Sequence, residues 1–388
     1  MRILQVWVLA LAGLFFSGGL IAQSEVSWVG ALPASIQESS GLLLVGNRFV
    51  THNDSGNTPE LFVLDTASLE VVRRVLITNA ENTDWEALAQ DAVSIYIGDI
   101  GNNLGNRRDL KVLRISKEDF SRADAVQASV ISYAYEDQSG FGGTQNSDWD
   151  AEALLAGPDS LFIFTKQWPG GETVAYRIPK EPGQYRALRT GVYPAGGLIT
   201  GASPIPGEEA FLLLGYSGQL QPFLLRVASG LPRSGEAVQT RKIQLDIPFG
   251  QAEGITVLPS GAVYLSTEAF SNRLVSLPAG VFRYLPGSDS KDDPQGGASG
   301  EQGYGSDDGN QELVLYQTPG SGTLRYQIAG GQAILARAIF DVSGRRIHFE
   351  QGQDDLPGEV DVSKLGNAVY YLTLYLPNQR ITKPFLRL

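Results

Sequence analysis

The sequence predicts an all-β chain, a β-propeller followed by a second and smaller β-module. Three observations carry that expectation. Short runs of β-branched, aromatic and leucine residues, such as Phe49-Val50-Thr51, Leu61-Phe62-Val63-Leu64, Ser94-Ile95-Tyr96-Ile97, Leu161-Phe162-Ile163-Phe164 and Phe211-Leu212-Leu213-Leu214, alternate with Gly, Pro, Asn and Asp turns, while helical periodicity is nearly absent. A unit with a recognisable opening recurs roughly every 50 residues, the spacing of propeller blades. A stretch from Gly287 to Gln311, composed mainly of Gly, Ser and acidic residues, has almost nothing to bury and reads as a flexible linker between the repeats and a C-terminal module.

The openings are Glu38-Ser39-Ser40-Gly41-Leu42, Asp84-Trp85-Glu86-Ala87-Leu88, Asp150-Ala151-Glu152-Ala153-Leu154, Thr200-Gly201-Ala202-Ser203 and Gln251-Ala252-Glu253-Gly254-Ile255; the fourth lacks the acid. After each come a turn and a second strand that ends in a polar loop, beginning at Thr51, Gly98, Thr165, Gly215 and Ser266. Two more strands complete a four-stranded unit. Five units account for residues 24–286, so five blades are expected, with six as the alternative. The fifth unit has room for three strands, ending near Val281-Phe282-Arg283-Tyr284. The segment Val26 to Val29 has the phase of its missing outer strand, and pairing the two would close the ring and leave few free edges.

Of 388 residues, 43% are hydrophobic and 19% charged, a composition that folds. Forty-two acidic against 30 basic side chains give a net charge of -12, which argues against nucleic acid or anionic lipid as a partner and suits a cation or metal. Without cysteine the chain has no disulfide, thiolate nucleophile or thiolate metal site. Arg2, the apolar run Ile3 to Leu20 and the small Ala22 predict a signal peptide over residues 1–23, and no later segment is apolar enough to span a membrane.

The segment 312–388 carries Ala338-Ile339-Phe340-Asp341-Val342-Ser343-Gly344-Arg345-Arg346, then Val360-Asp361-Val362-Ser363-Lys364-Leu365, Val369-Tyr370-Tyr371-Leu372 and a terminal strand from Ile381 to Leu388. In that order and spacing it resembles the type A C-terminal sorting domain of proteins exported by the type IX, or Por, secretion system. The alternating strands, with turns at Ser343-Gly344 and Gly366-Asn367, suit a small immunoglobulin-like sandwich. The resemblance implies the type IX machinery as a partner and a secreted or outer-surface location, reached through the periplasm of a Gram-negative bacterium. The repeat region resembles secreted propellers of the same bacteria and, more distantly, phytase-related propellers with esterase-like activity, through the Glu-Gly/Ala-Leu openings and the Asp54-Ser55-Gly56 loop. That resemblance implies a fold and does not by itself imply catalysis.

In a four-stranded blade the loop entering the innermost strand and the loop after the second strand emerge on one face, so both polar sets meet at one mouth of the channel. Glu38, Asn53, Asp54, Asp84, Asp150, Glu253 and Glu268 are the candidate ligand-binding residues there. Glu86, Asp99, Asn102 and Glu152 are candidate metal ligands, and their hard oxygens favour calcium over zinc. Gathered acids repel, so a cation neutralises them, some hold protons, or they cap backbone N–H groups at the blade crossovers. Asp99-Ile100-Gly101-Asn102-Asn103 and His52-Asn53-Asp54-Ser55-Gly56 read equally as Asx-stabilised turns. His52, the single propeller imidazole, is the candidate proton carrier, and Lys166 the candidate partner of a phosphate or carboxylate, or of one of the acids. No Gly-x-Ser-x-Gly elbow, phosphate loop or nucleotide fingerprint is present in the propeller. Two functions remain: a surface propeller that binds an extracellular ligand at its acidic mouth, and a calcium-dependent hydrolase of a phosphoester, ester or lactone.

Overall fold

The computed structural model describes residues 25–143, 145–168, 170–218, 220–228, 239–247, 250–271 and 276–287, and in the C-terminal module residues 313–316, 322–328, 334, 336–341, 346–351, 358–366, 368–376 and 380–387. The predicted signal peptide, nearly all of the predicted linker and the predicted Ser343-Gly344 turn lie outside the described residues.

Strand β1 (Glu25–Ala31) precedes the first blade, which is built from β2 (Leu43–Val45), β3 (Arg48–Thr51), β4 (Glu60–Asp65) and β5 (Val71–Ile77). The second blade has β6 (Trp85–Gln90), β7 (Ser94–Asp99) and β8 (Lys111–Ser116), then a short helix α1 (Lys117–Arg122), the two-residue β9 (Ala125–Val126) and β10 (Ser129–Tyr135). The third has β11 (Ala151–Ala156), β12 (Ser160–Thr165), β13 (Glu172–Pro179) and the long β14 (Gly183–Pro194). The fourth has β15 (Leu198–Pro204), β16 (Phe211–Tyr216), β17 (Pro222–Val227) and β18 (Thr240–Gln244). The fifth has β19 (Ala252–Val257), β20 (Val263–Thr267), a small hairpin of β21 (Phe270–Ser271) and β22 (Ser276–Leu277), and β23 (Gly280–Leu285).

Five apolar cores, one at each blade interface, make these sheets a ring. Val50, Leu61 and Val63 of the first blade pack with Ile95, Ile97 and Leu113 of the second. Tyr96 and Val112 of the second pack with Leu161, Ile163 and Tyr176 of the third. Phe162, Phe164 and Tyr193 meet Phe211, Leu213 and Phe223, and Leu212, Leu214 and Leu224 meet Leu265, Phe282 and Tyr284. Ala279 and Val281 then pack on Phe49, Phe62 and Leu64 of the first blade, which completes the circle at five. The runs are apolar throughout because alternate side chains enter different cores: Leu161 and Ile163 face one neighbour, Phe162 and Phe164 the other.

Closure occurs as the strand phase predicts. β1 pairs antiparallel with β23 from Glu25 opposite Leu285 to Ala31 opposite Gly280, with a bulge between Trp28 and Gly30. Trp28 lies edge-on to Phe282, 4.8 Å between ring centres, over the bare Cα of Gly280.

Two parallel pairings join blade rims. β10 pairs with β14 of the next blade, and β9 with β5 of the previous one. Helix α1 is local: the Ser116 hydroxyl accepts from the N–H groups of Glu118 and Asp119, and Phe120 is its buried residue.

The C-terminal module has strands β24 (Leu313–Tyr316), β25 (Thr323–Ile328), β26 (Ala336–Asp341), β27 (Arg346–Gln351), β28 (Glu359–Asp361), β29 (Ala368–Tyr375) and β30 (Arg380–Arg387). They form two antiparallel sheets, of order β24-β25-β28 and β27-β26-β29-β30, around a core that includes Leu324, Val360, Ile339, Leu372 and Phe385. His348 lies in β27 of this module. Among the described residues no helix is long and apolar enough to cross a membrane.

Candidate metal and ligand site at the propeller mouth

The repeated acid of the openings is a bulge residue. In β6, β11, β15 and β19 the register with the second strand slips across the second position, between Trp85 and Ala87, Ala151 and Ala153, Ile199 and Gly201, and Ala252 and Gly254. The skipped residues are Glu86, Glu152, Thr200 and Glu253, and Ser40 holds the corresponding place in the first opening. A bulge leaves its residue outside the ladder and re-aims the side chain, so repetition of the bulge gathers these groups at one end of the channel. Neighbour touches neighbour there, since the Ser40 hydroxyl donates to Glu86 Oε2 at 3.2 Å.

A second tie positions the loop after the second strand in four of the five blades. The N–H groups of Asp54, Ile100, Lys166 and Glu268 donate to the opening carbonyls of Glu38, Asp84, Asp150 and Gln251, at 2.8, 3.1, 2.6 and 3.0 Å. Loop and opening residues are thereby held on the same face.

Asp54, Asp84 and Glu86 each offer an oxygen within 4.8 Å of the others, a group able to hold a metal ion. Their floor is Gly101: a Cβ there would come within 3 Å of the Asp84 and Glu86 carboxylates, so only glycine leaves them this room. Burial, then repulsion from Asp54, pushes the Asp84 carboxyl up to about 7; burial, then Glu38, pushes Asp54 up to about 6. Glu86 is held well above the usual range by burial and by Glu152.

The other predicted metal ligands are engaged elsewhere. Asp99 is fully buried between two cations, with Arg107 Nη2 at 2.7 Å from Oδ1 and Lys111 Nζ at 2.8 Å from Oδ2. Glu152 Oε1 lies 2.5 Å from Lys166 Nζ. Asn102 organises its own loop: its Oδ1 accepts from Arg107 N–H, and its N–H donates to Asp150 Oδ1 at 2.7 Å. The metal cluster therefore draws Asp54 and Asp84 from the predicted ligand-binding set and keeps only Glu86 from the predicted metal set.

Lys166 is 5% exposed, with Trp168 and Tyr216 ring centres 5.1 and 5.4 Å from its Nζ. Glu152 and Glu253 hold it protonated. Glu253 and Glu268 stand beside it, Glu268 pushed up to about 8 by burial, then by Asp54 and Glu152. Glu38 is exposed at the rim, where Asn57 donates to its carboxylate. Among the described residues no backbone N–H donates to the Glu86, Glu152 or Glu253 carboxylates, so capping of the blade crossovers does not explain the repeated acid.

His52 is withdrawn from the mouth. It is fully buried, its Nδ1 lies 2.9 Å from the Asn53 carbonyl, and its ring stands edge-on to Trp85. Burial lowers it to about 4, so it is a neutral packing residue at physiological pH. Asn53 is a crosslink: its amide donates to the Ser35 carbonyl and accepts from Glu38 N–H.

Sequence reasoning missed three supports. Asn82 donates to the carbonyls of Asn53 and Asp54 and accepts from Trp85 N–H, so it clamps the loop that carries Asp54. Arg107 donates from Nη1 to the Gly101 carbonyl at 2.8 Å, which fixes the floor under the cluster. Gly101 itself was read only as part of a turn.

No family model matches the sequence, and no curated protein matches it. Solved structures resemble the chain in outline. A glucose dehydrogenase is 9% identical, with a TM-score of 0.40, and the match covers 67% of this chain and 98% of that one. A protein described as a gluconolactonase is 8% identical, with a TM-score of 0.38 over 94% of this chain and 93% of that one. A streptogramin B lyase is 9% identical, with a TM-score of 0.33 over 94% and 98%. Likeness at that level carries no functional argument, and the propeller assignment rests on the ring of five blades described above.

Proposed function

We propose that this is an exported five-bladed propeller that holds a calcium ion at Asp54, Asp84 and Glu86 and binds an extracellular ligand at the acidic mouth around it. The carrying observation is the convergence of the Asp54, Asp84 and Glu86 carboxylates, two of them over Gly101, with Lys166 and Arg107 already paired to other acids. The donor set fits: all three ligands are hard oxygens, and calcium accepts the irregular geometry supplied by one loop of the first blade and the opening of the second. When bound, the ion would neutralise the cluster and leave positions for oxygen atoms of a ligand. The C-terminal sandwich serves in this reading as the tag recognised by the type IX machinery, and residues 1–23 as the inner-membrane export signal.

A cation that binds only the folded ring stabilises it by mass action. Calcium should therefore raise the unfolding temperature and a chelator lower it. Asp84→Asn and Glu86→Gln should abolish the calcium-dependent rise. Glu152→Gln should instead lower stability equally in calcium and in chelator, because it breaks the pair with Lys166. A wild type indifferent to calcium overturns the metal assignment.

One observation supports a hydrolase of phosphoester, ester or lactone substrates as the second reading. A calcium ion held by Asp54, Asp84 and Glu86 would leave positions open for a phosphoryl or acyl oxygen, while His52 cannot move protons there from its buried position. A screen of the calcium-loaded protein with chromogenic phosphate and carboxyl esters decides it. Turnover that Asp84→Asn removes would favour the enzyme; none across the panel would leave the binding role.

A further inference from the structure

Beside the metal cluster the mouth holds a carboxylate that the fold leaves unsatisfied. Glu253, the bulge residue of β19, is 4% exposed; its Oε2 is buried without a hydrogen-bond partner, and Oε1 has only Gln251 Nε2 at 3.5 Å. A buried carboxylate oxygen left unbonded keeps its desolvation cost, which burial shows as a carboxyl held well above the usual range, and a partner that supplies positive charge or N–H donors relieves it. Glu268, in the loop after β20, is tied to the same opening, its N–H donating to the Gln251 carbonyl at 3.0 Å, and its charge acts on Glu253.

The surroundings say what kind of cation. Lys166 shows how an ammonium is held at this depth, with the Glu152 carboxylate at 2.5 Å and the faces of Trp168 and Tyr216 about it. The Tyr216 ring that faces Lys166 also feels the charge of Glu253. Aromatic faces stabilise organic cations. A second divalent ion is disfavoured, because it needs six to eight oxygens and would sit beside the Lys166 ammonium, which repels a double charge twice as strongly as a single one.

We propose that Glu253 and Glu268 form a subsite for an alkylammonium group, so that the ligand of this mouth is a small primary amine of the diamine or polyamine class. The inference rests on reading this mouth as the ligand-binding face and does not require the metal. The ammonium N–H groups would donate to Glu253 Oε2 and to the Glu268 carboxylate, with the alkyl chain toward the channel opening.

The test is calorimetric titration of the full chain, in calcium, with cadaverine and with its uncharged diol counterpart. The wild type should bind cadaverine and not the diol. Glu253→Gln and, separately, Glu268→Gln should each weaken cadaverine by about tenfold, as expected for loss of a charged hydrogen bond. Both should keep the calcium-induced rise in unfolding temperature. Should Glu253→Gln not fold, Glu268→Gln at the half-buried rim carries the test alone. Absence of cadaverine binding by the wild type, unchanged affinity in the folded variants, or a fall in calcium stoichiometry in Glu253→Gln would each overturn the subsite. Cadaverine binding by a wild type that ignores calcium would refute the metal reading and leave this one standing.

Discussion

Gly101 shows how a single backbone position sets the chemistry of the mouth. Its Cα is the floor on which Asp84 and Glu86 approach each other, and it carries no unusual backbone torsion, so an added methyl group should leave the loop conformation accessible while displacing the carboxylates. Gly101→Ala should therefore fold and lose most of the calcium-dependent rise in unfolding temperature, which scanning calorimetry with and without chelator measures; an undiminished rise would place the ion elsewhere. The same residues fix a pH dependence. Asp54, Asp84, Glu152 and Glu268 titrate in the folded chain near 6, 7, 7 and 8, above their unfolded values of 3.8, 3.8, 4.5 and 4.5. Between those limits the folded state binds protons that the unfolded state has released, so stability falls as pH rises. His52 opposes this below about 6.5, because its folded value near 4 makes the unfolded chain the better proton acceptor there. In chelator the unfolding temperature should therefore decline from about pH 6.5 to about pH 8, and calcium should flatten the decline; a rise over that window in chelator contradicts the buried acids. The sequence displays the repeated Glu86, Glu152 and Glu253 directly, because a recurring letter at a recurring place is visible without coordinates. It does not display which acids are already neutralised: Arg107 and Lys111 lie close to Asp99 in sequence, yet only the folded loop before β8 and the pairing of Lys111 opposite Asp99 show that both reach it.

At the scale of the element, strand phase is the most legible feature, since a strand buried on both faces must be apolar at every position and its ends are marked by Gly, Asn and Asp. β1 follows from that phase, and its pairing with β23 is antiparallel and nearly continuous. The parallel rim pairs β10 with β14 and β9 with β5 are not legible, because they join strands of different repeats and depend on how the blades splay. Helix α1 carries a local signal in Ser116 with Glu118 and Asp119 behind it, too short to register as periodicity. The closing strand yields a graded prediction. Trp28→Ala removes the ring that covers Phe282 and Gly280 and should cost about 2–3 kcal/mol, at or below the low end of the roughly 3–5 kcal/mol for fully buried aromatic truncations, because Trp28 is only half-buried. A chain beginning at Gly30 loses most of the β1–β23 ladder and should unfold at a lower temperature than Trp28→Ala. Equal midpoints for that chain and one beginning at Ser24 would show that the ring does not depend on β1.

For the molecule as a whole, the propeller and the sandwich each hold a core of their own, and the described apolar clusters draw on one or the other and never on both. Residues joining them are dominated by Gly, Ser and acids, which gain little by packing. A chain ending at Pro286 keeps every strand of the five blades, including the β1–β23 closure, so it should fold alone and show the same calcium-dependent shift as the full chain. Its fate in the cell should differ. If residues 1–23 direct passage across the inner membrane and the sandwich is read by the type IX machinery, the truncated chain should accumulate in the periplasm while the full chain reaches the surface or the medium. Fractionating cells that express each form, with protease added to intact cells, tests this together with folding, because a folded periplasmic propeller resists the protease once released and a misfolded one does not. Surface delivery of the chain ending at Pro286 at the level of the full chain would remove the sandwich as the sorting signal, and would leave the calcium site and the amine subsite untouched, since every residue assigned to them lies in the blades.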